Sequence, residues 1–244
     1  MQAVIVVYGG SGQGKDVLSD MIAEALDPTC RRDPVESRVQ GESVLRCAFA
    51  DPLKQIAQIL GMPREVAYGS QEVKLKWVRW GLTGRQILQI LGTEWARKTM
   101  GAGIWVDALA DMLHKQPPRV KFAIASDGRF MSERELDKRL PGVPVHKVLI
   151  WRPSAPDLGL PPTLGNRIKA RLSSLPVVRH VLGLLGIRPL RLMHASEAEV
   201  WDMRQRMQRG EQLFDDFVVN DGTLEDLRAK ARQIAKTVLG TQEE

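Results

Sequence analysis

Near the start of the chain an apolar, β-branched run, Val4-Ile5-Val6-Val7, breaks at Gly9 into a glycine-rich turn that closes on Gly14-Lys15. The frame of Gly9, four residues, Gly14 and Lys15 is that of a loop cradling phosphates between a strand and a helix. It constrains the fold by fixing an order: buried strand, anion-binding turn, helix. Glycines let backbone N–H groups turn toward an anion with no Cβ in the way. The helix adds the partial positive charge of its N-terminus, and Lys15 adds a mobile full charge. Gly9, Gly10, Ser11, Gly12, Gln13, Gly14, Lys15 and Asp16 are therefore the candidate holders of nucleotide phosphates. Position 16 is Asp where the usual loop has Ser or Thr for Mg²⁺; a carboxylate can hold Mg²⁺ directly or through water. The bland alternative, a glycine turn without a ligand, does not explain why strand, loop and helix appear in the required order.

The remaining pattern predicts an α/β domain. Val17–Leu26 has a helical apolar period, and Asp27–Ser43 is polar and reads as a surface loop. Val44–Ala50 is a second strand, ending where Asp51 is expected to cap the helix Pro52–Leu60. Lys54, early in that helix, is either a solvated lysine or a ligand for an acceptor phosphate. Residues 61–82 read as irregular; Trp77 and Trp80 beside Lys74, Lys76 and Arg79 either pack or stack on bases. Thr83–Met100 is a helix with a Thr83–Gln86 capping box and an expected buried face of Ile87, Leu88, Ile90, Leu91 and Trp95. Arg85, Gln89 and Arg97 on it are acceptor-site candidates, with Arg85 first.

After Gly101–Gly103 comes a helix over Ile104–Lys115, then a buried strand, Val120–Ser126, ending in Asp127-Gly128-Arg129. An acid at the end of a central strand can sit beside Mg²⁺, and Asp-Gly is equally a turn pair; both readings stay open. Ser132 with Glu135 predicts a capped helix to about Leu140, and Val143–Trp151 is the fourth strand. Ser196–Arg209 is helical, Phe217-Val218-Val219 is the last strand, and Thr223 with Asp226 caps a closing helix to about Leu239, with Leu224 among its buried residues. Five strands alternating with helices predict a parallel sheet covered on both faces.

The chain has 244 residues, 43% hydrophobic, and a net charge of +6, which points to anionic partners. The segment Arg152–His194 has seven Lys and Arg against one acid, Asp157, so it carries as much net charge as the whole chain. It reads as an insertion: a lid bringing Arg167 or Arg171 to a transferring phosphate, a docking surface for a partner, nucleic acid or anionic membrane, or a solvated appendage. The core is then 1–151 and 195–244, with acceptor helices over 51–115. Cys30 and Cys47 have no metal spacing and predict free thiols in a reducing cytoplasm. No signal peptide or run long enough to span a membrane is expected.

Seven segments in order, GGSGQGKD, FADPLK, TGRQILQILGTEWAR, GIWVDAL, SDGRFMSERE, HASE and VVNDGTLEDL, resemble the deoxynucleoside monophosphate kinases of tailed bacteriophages. That family is related to adenylate-kinase-like and dephospho-coenzyme A kinases, all with P-loop folds. The resemblance covers roughly residues 1–150 and 193–239. It implies ATP-dependent, Mg²⁺-assisted phosphorylation of a deoxynucleoside 5′-monophosphate in the host cytoplasm. Gly9–Asp16 would hold the ATP phosphates. Lys54, Arg85 and Arg129 would contact the acceptor phosphate, Asp127 and Glu133 would lie near substrate, and Asn220 close to adenine. The family commonly has Thr where this chain has Val17, so Asp16 gains weight as a metal ligand, with Asp127 as the second candidate. In the mechanism expected, Lys15 and lid arginines stabilise the moving phosphoryl, Arg85 and Arg129 neutralise the acceptor, and Asp51 orients the attacking oxygen or metal waters. A kinase of another small acceptor, such as dephospho-coenzyme A or a ribonucleotide, a nucleic-acid-binding P-loop protein, and a non-catalytic nucleotide-binding module, supported only by Asp16 and Val17, are the rival readings, and both monomer and homodimer remain open.

Overall fold

The computed structural model describes residues 1–33, 36, 38–153 and 195–240. Five strands, β1 (Ala3–Tyr8), β2 (Val44–Cys47), β3 (Phe122–Gly128), β4 (Val145–Trp151) and β5 (Asp216–Val219), form one sheet in the order β2-β3-β1-β4-β5. Every pairing is parallel. All six residues of β1 are buried because the strand is central and both faces are covered. Val4, Val6 and Tyr8 enter one apolar cluster, while Ala3, Ile5 and Val7 enter the other. This alternation is the period of two that a strand imposes.

The second face is covered by α1 (Lys15–Leu26), through Leu18, Met21 and Ile22, and by the closing helix Leu224–Gly240. The first face packs against α2 (Asp51–Ile59) and later helices. Two short helices follow, α3 (Arg64–Tyr68) and α4 (Gln71–Lys76), and then a two-stranded ribbon, Val78–Arg79 with Leu82–Thr83. The stretch expected to be irregular is thus ordered. Ala57, Met62, Val66, Ala67 and Ile87 give it a small core of its own, with Trp77 packed against it. Trp80 stays 60% exposed at the ribbon's turn.

Next, α5 (Gly84–Gln89) starts at the expected Thr83–Gln86 capping box. It continues into a π-helical stretch, Ile90–Arg97, and a last turn, Lys98–Met100. The wider π turn shifts the helical frame, so the predicted buried face holds only in part: Ile87 is buried and Leu88 and Leu91 pack against the core, but Ile90 and Trp95 are exposed while Gly92 and Ala96 are buried. The Gly92 carbonyl accepts a hydrogen bond from Trp105 Nε1 at 3.0 Å. Trp105 lies on α6 (Ile104–His114), which is buried through Val106, Leu109 and Leu113. A 3₁₀ turn, Met131–Glu135, leads into α7 (Leu136–Arg139). Glu133, not the expected Ser132–Glu135 box, caps this turn by accepting the Arg129 and Phe130 N–H groups. The last two helices are α8 (Ala195–Gln208) and α9 (Leu224–Gly240). Thr223 and Asp226 form the expected reciprocal cap of α9, and Leu224 is exposed instead of buried.

One ion pair lies inside this framework. Arg46 of β2 has a fully buried side chain; its Nε donates to Asp20 Oδ1 of α1 at 3.2 Å and its Nη1 to the Ile124 carbonyl of β3 at 3.0 Å. Asp20 also accepts the Val39 N–H. Removing one partner of a buried pair leaves an uncompensated charge. Asp20→Ala is therefore expected to cost about 3–5 kcal/mol in urea denaturation; a loss below about 1 kcal/mol would refute the claim that this pair anchors α1 to the sheet.

Candidate functional site

In a parallel sheet the loops after every strand gather at one edge, and here that edge gathers the charged residues. The loop after β1 is held from within. Gln13, buried, accepts the Gly10 N–H through Oε1 at 3.0 Å, and its Nε2 has no partner among the described residues. Gly14 has φ 95°, a left-handed conformation, and a Cβ there would lie 2.6 Å from Asn220 Nδ2. Asn220, just past β5, donates that Nδ2 to the Gln13 carbonyl at 2.9 Å. Lys15 opens α1 and folds back over the loop, where its Nζ donates to the Gly9 and Gly10 carbonyls at 2.7 and 2.6 Å. Burial, followed by the charge of Arg129, lowers the Lys15 ammonium to about 8.

The end of β3 supplies the opposite wall. Asp127 accepts the Phe49 and Ala50 N–H groups at 2.8 and 3.0 Å, one on each carboxylate oxygen. It thereby ties the strand to the start of α2. Its neighbour Ser126, buried, donates Oγ to Asp16 Oδ1 at 2.9 Å. Gly128 pairs with Tyr8 across a shift in register, and a Cβ there would lie 2.7 Å from the Tyr8 ring, which excludes a side chain. Arg129 Nη1 donates to Glu197 Oε1 at 2.9 Å. The same carboxylate accepts the Ser11 N–H of the glycine loop at 3.1 and 3.2 Å. An internal anion thus rests on the loop and on the arginine beside it. Glu133, fully buried, is pushed up to about 7 by burial against its ion pair with Arg97 at 2.7 Å.

A third group of charges lies on α2 and the segment before β2. Asp51 does not cap its helix. It is the first helical residue, Ala50 holds the cap position without a side-chain bond, and the Asp51 carboxylate takes a bidentate pair from Arg38 at 2.7 and 2.8 Å. Lys54 lies 3.5 Å from Asp51 and 4.4 Å from the centre of the Tyr68 ring. Arg38 and Arg64 also face that ring, at 5.4 and 6.0 Å. Burial lowers the Lys54 ammonium. Lys74 of α4 is lowered to about 8, by burial first and then by Lys54. The charges of Asp16, Arg38 and Arg129 contribute as well.

The edge of the sheet therefore brings together Lys15, Asp16, Asp51, Lys54, Asp127, Arg129, Glu133 and Asn220. Arg85 is exposed at the start of α5 and makes no ion pair among the described residues, and Gln89 is half-buried one turn on. Arg167 and Arg171, with the rest of 154–194, lie outside the described residues. Sequence reading missed Arg38, Ser126 and Glu197, and noted Lys74 only as a basic residue near tryptophan. Arg38 had no usable signal, because its partner is 13 residues away in a segment that looked solvated. Glu197 stood in the HASE quartet with no role attached. Cys30 and Cys47 are free thiols, and no helix among the described residues is long and apolar enough to cross a membrane.

No family model matches the chain, and no curated protein matches it. Among solved structures, an unliganded sugar kinase from Janibacter sp. HTCC2649 aligns over 98% of each chain at 17% identity with a TM-score of 0.36. A likeness that slight carries no argument, so function has to be reasoned from the site.

The Glu197 carboxylate occupies the Ser11 N–H and the Arg129 guanidinium, two donors that would otherwise face the loop unpaired. Glu197→Gln is expected to tighten pyrophosphate binding roughly tenfold, equivalent to about 1.4 kcal/mol, by isothermal titration calorimetry. Weaker binding would mean that Glu197 positions Arg129 for the anion instead of competing with it.

Proposed function

We propose that the chain is a P-loop kinase that transfers a phosphoryl group from ATP to an anionic acceptor, and that the acceptor is a deoxynucleoside 5′-monophosphate. The observation that carries this reading is the pairing of two cationic walls across one sheet edge. The glycine loop with Lys15 and Arg129 forms one wall, and Arg38, Lys54 and Arg64 around Tyr68 form the other. The strand order, with the loop strand central, supports the P-loop assignment. The acceptor's identity rests on the resemblance of the seven sequence segments.

Phosphoryl transfer asks a protein mainly to bring two anions in line and neutralise them. Lys15 exchanges the Gly9 and Gly10 carbonyls for the outer phosphates of the donor. The loop N–H groups hold the inner ones, and Gln13 and Asn220 keep the loop in shape. Arg129, beside the glycine loop, takes the charge of the transferring group once Glu197 releases it. Lys54 and Arg38 hold the acceptor phosphate, with Asp51 fixing Arg38, and Arg85 and Gln89 border that side. Asp16, the residue after the loop lysine, offers a carboxylate, which suits Mg²⁺. When bound there, the ion would neutralise charge on the donor phosphates. The acceptor phosphate is already ionised near neutral pH, so no strong general base is needed.

With ATP and Mg²⁺, ADP release is expected to depend on one or more deoxynucleoside monophosphates; release only with dephospho-coenzyme A or a ribonucleotide would redirect the acceptor assignment. Lys15→Ala is expected to lower turnover at least about a hundredfold with an unchanged circular dichroism spectrum. Lys54→Ala is expected to raise the acceptor KM while the ATP KM stays within about twofold; equal changes in both would place Lys54 outside the acceptor site.

A further inference from the structure

Where a glycine loop of this kind holds a magnesium nucleotide, a hydroxyl after the loop lysine and a carboxylate at a strand end commonly share the ion. In this chain the two chemistries have changed places. The helix contributes the carboxylate, Asp16, and the next residue, Val17, offers no side-chain oxygen. The strand contributes the hydroxyl, Ser126, in contact with that carboxylate at 2.9 Å. The strand's own acid, Asp127, holds a backbone N–H on each of its oxygens and joins β3 to α2.

We propose that Asp16 is the protein ligand of the divalent cation that accompanies the donor nucleotide, that Ser126 is the residue that positions it, and that Asp127 is structural. The inference rests on the phosphoryl-transfer reading above and deepens it. The Ser126 hydroxyl engages Oδ1 and leaves Oδ2 of Asp16 with no protein partner among the described residues. Ser126 is buried at a strand end while Asp16 is exposed, so a fixed group orients one that faces solvent. A single carboxylate suits Mg²⁺, which usually keeps several waters and takes its other ligands from substrate phosphates. An outer hydrogen bond that fixes a ligating carboxylate typically changes metal affinity about 10–100-fold when lost.

The test is Mn²⁺ binding, read by electron paramagnetic resonance in the presence of a non-hydrolysable ATP analogue, alongside binding of a fluorescent ATP analogue in EDTA. Asp16→Asn is expected to weaken Mn²⁺ at least tenfold. Ser126→Ala is expected to weaken it several-fold, and Ser126→Thr, which keeps the hydroxyl, to restore it. Nucleotide binding in EDTA is expected to stay within about twofold in all three. Asp127→Asn, which swaps one acceptor for a donor, is expected to lower the Tm while leaving Mn²⁺ affinity within twofold. Unchanged Mn²⁺ affinity in both Asp16→Asn and Ser126→Ala overturns the inference whether or not the Asp127 variant folds, and leaves the phosphoryl-transfer reading standing. Failure of the native protein to bind nucleotide overturns that reading and this inference together.

Discussion

Two backbone N–H groups aimed at one carboxylate set the distance across the site. Asp127 closes the turn from β2 into α2, and that turn delivers Asp51 and Lys54 to the same sheet edge as the glycine loop. An ionised acid accepting backbone N–H groups is among the stronger hydrogen-bonding arrangements. It needs no ligand to form, so the two cationic walls are held at a fixed separation in the free protein. Each wall can then stay charged, because its cations are matched by an internal anion: Asp51 for Arg38, and Glu197 for Arg129.

Desolvation explains why so many acids sit among the cations at this sheet edge. A buried ammonium or guanidinium without a partner is costly, and burial already lowers Lys15 and Lys54. Lys15 meets this by bonding to two loop carbonyls, Lys54 by lying near Asp51 and against Tyr68. Glu133 and Arg97 do the same one layer back, linking the π-helical stretch to the turn that carries Arg129. The π turn earns its place here: by shifting the helical frame it buries Gly92 against Leu53 and frees a carbonyl for Trp105.

Much of the framework was legible in the sequence because it rests on local rules. The glycine frame, the buried run of β1 and the reciprocal caps at Thr83 and Thr223 are set by residues close in sequence, and each is where the pattern predicts it. The misses share a different cause. Arg38 looked solvated because its partner Asp51 is remote, and Asp51 looked like a cap because that remote arginine is invisible in a helix-start pattern. Ile90 and Trp95 were assigned to the core on a period of 3.6, which a π turn does not keep. Ser126 passed as the tail of an apolar strand. Contacts between distant segments decide these positions, and no window of neighbouring residues contains them.

The central place of β1 also bears on how the molecule is made. Its two neighbours, Phe122–Gly128 and Val145–Trp151, both lie more than a hundred residues later in the chain. At common rates of synthesis its second edge stays unpaired for roughly ten to thirty seconds. During that interval an apolar strand, one of the most buried stretches of the finished protein, lacks at least one of its two native neighbours. The loop that follows it is completed later still, when Asn220 reaches the Gln13 carbonyl. The glycine turn is thus finished by a residue some two hundred positions later, so the central strand and its loop depend on much later segments for their cover.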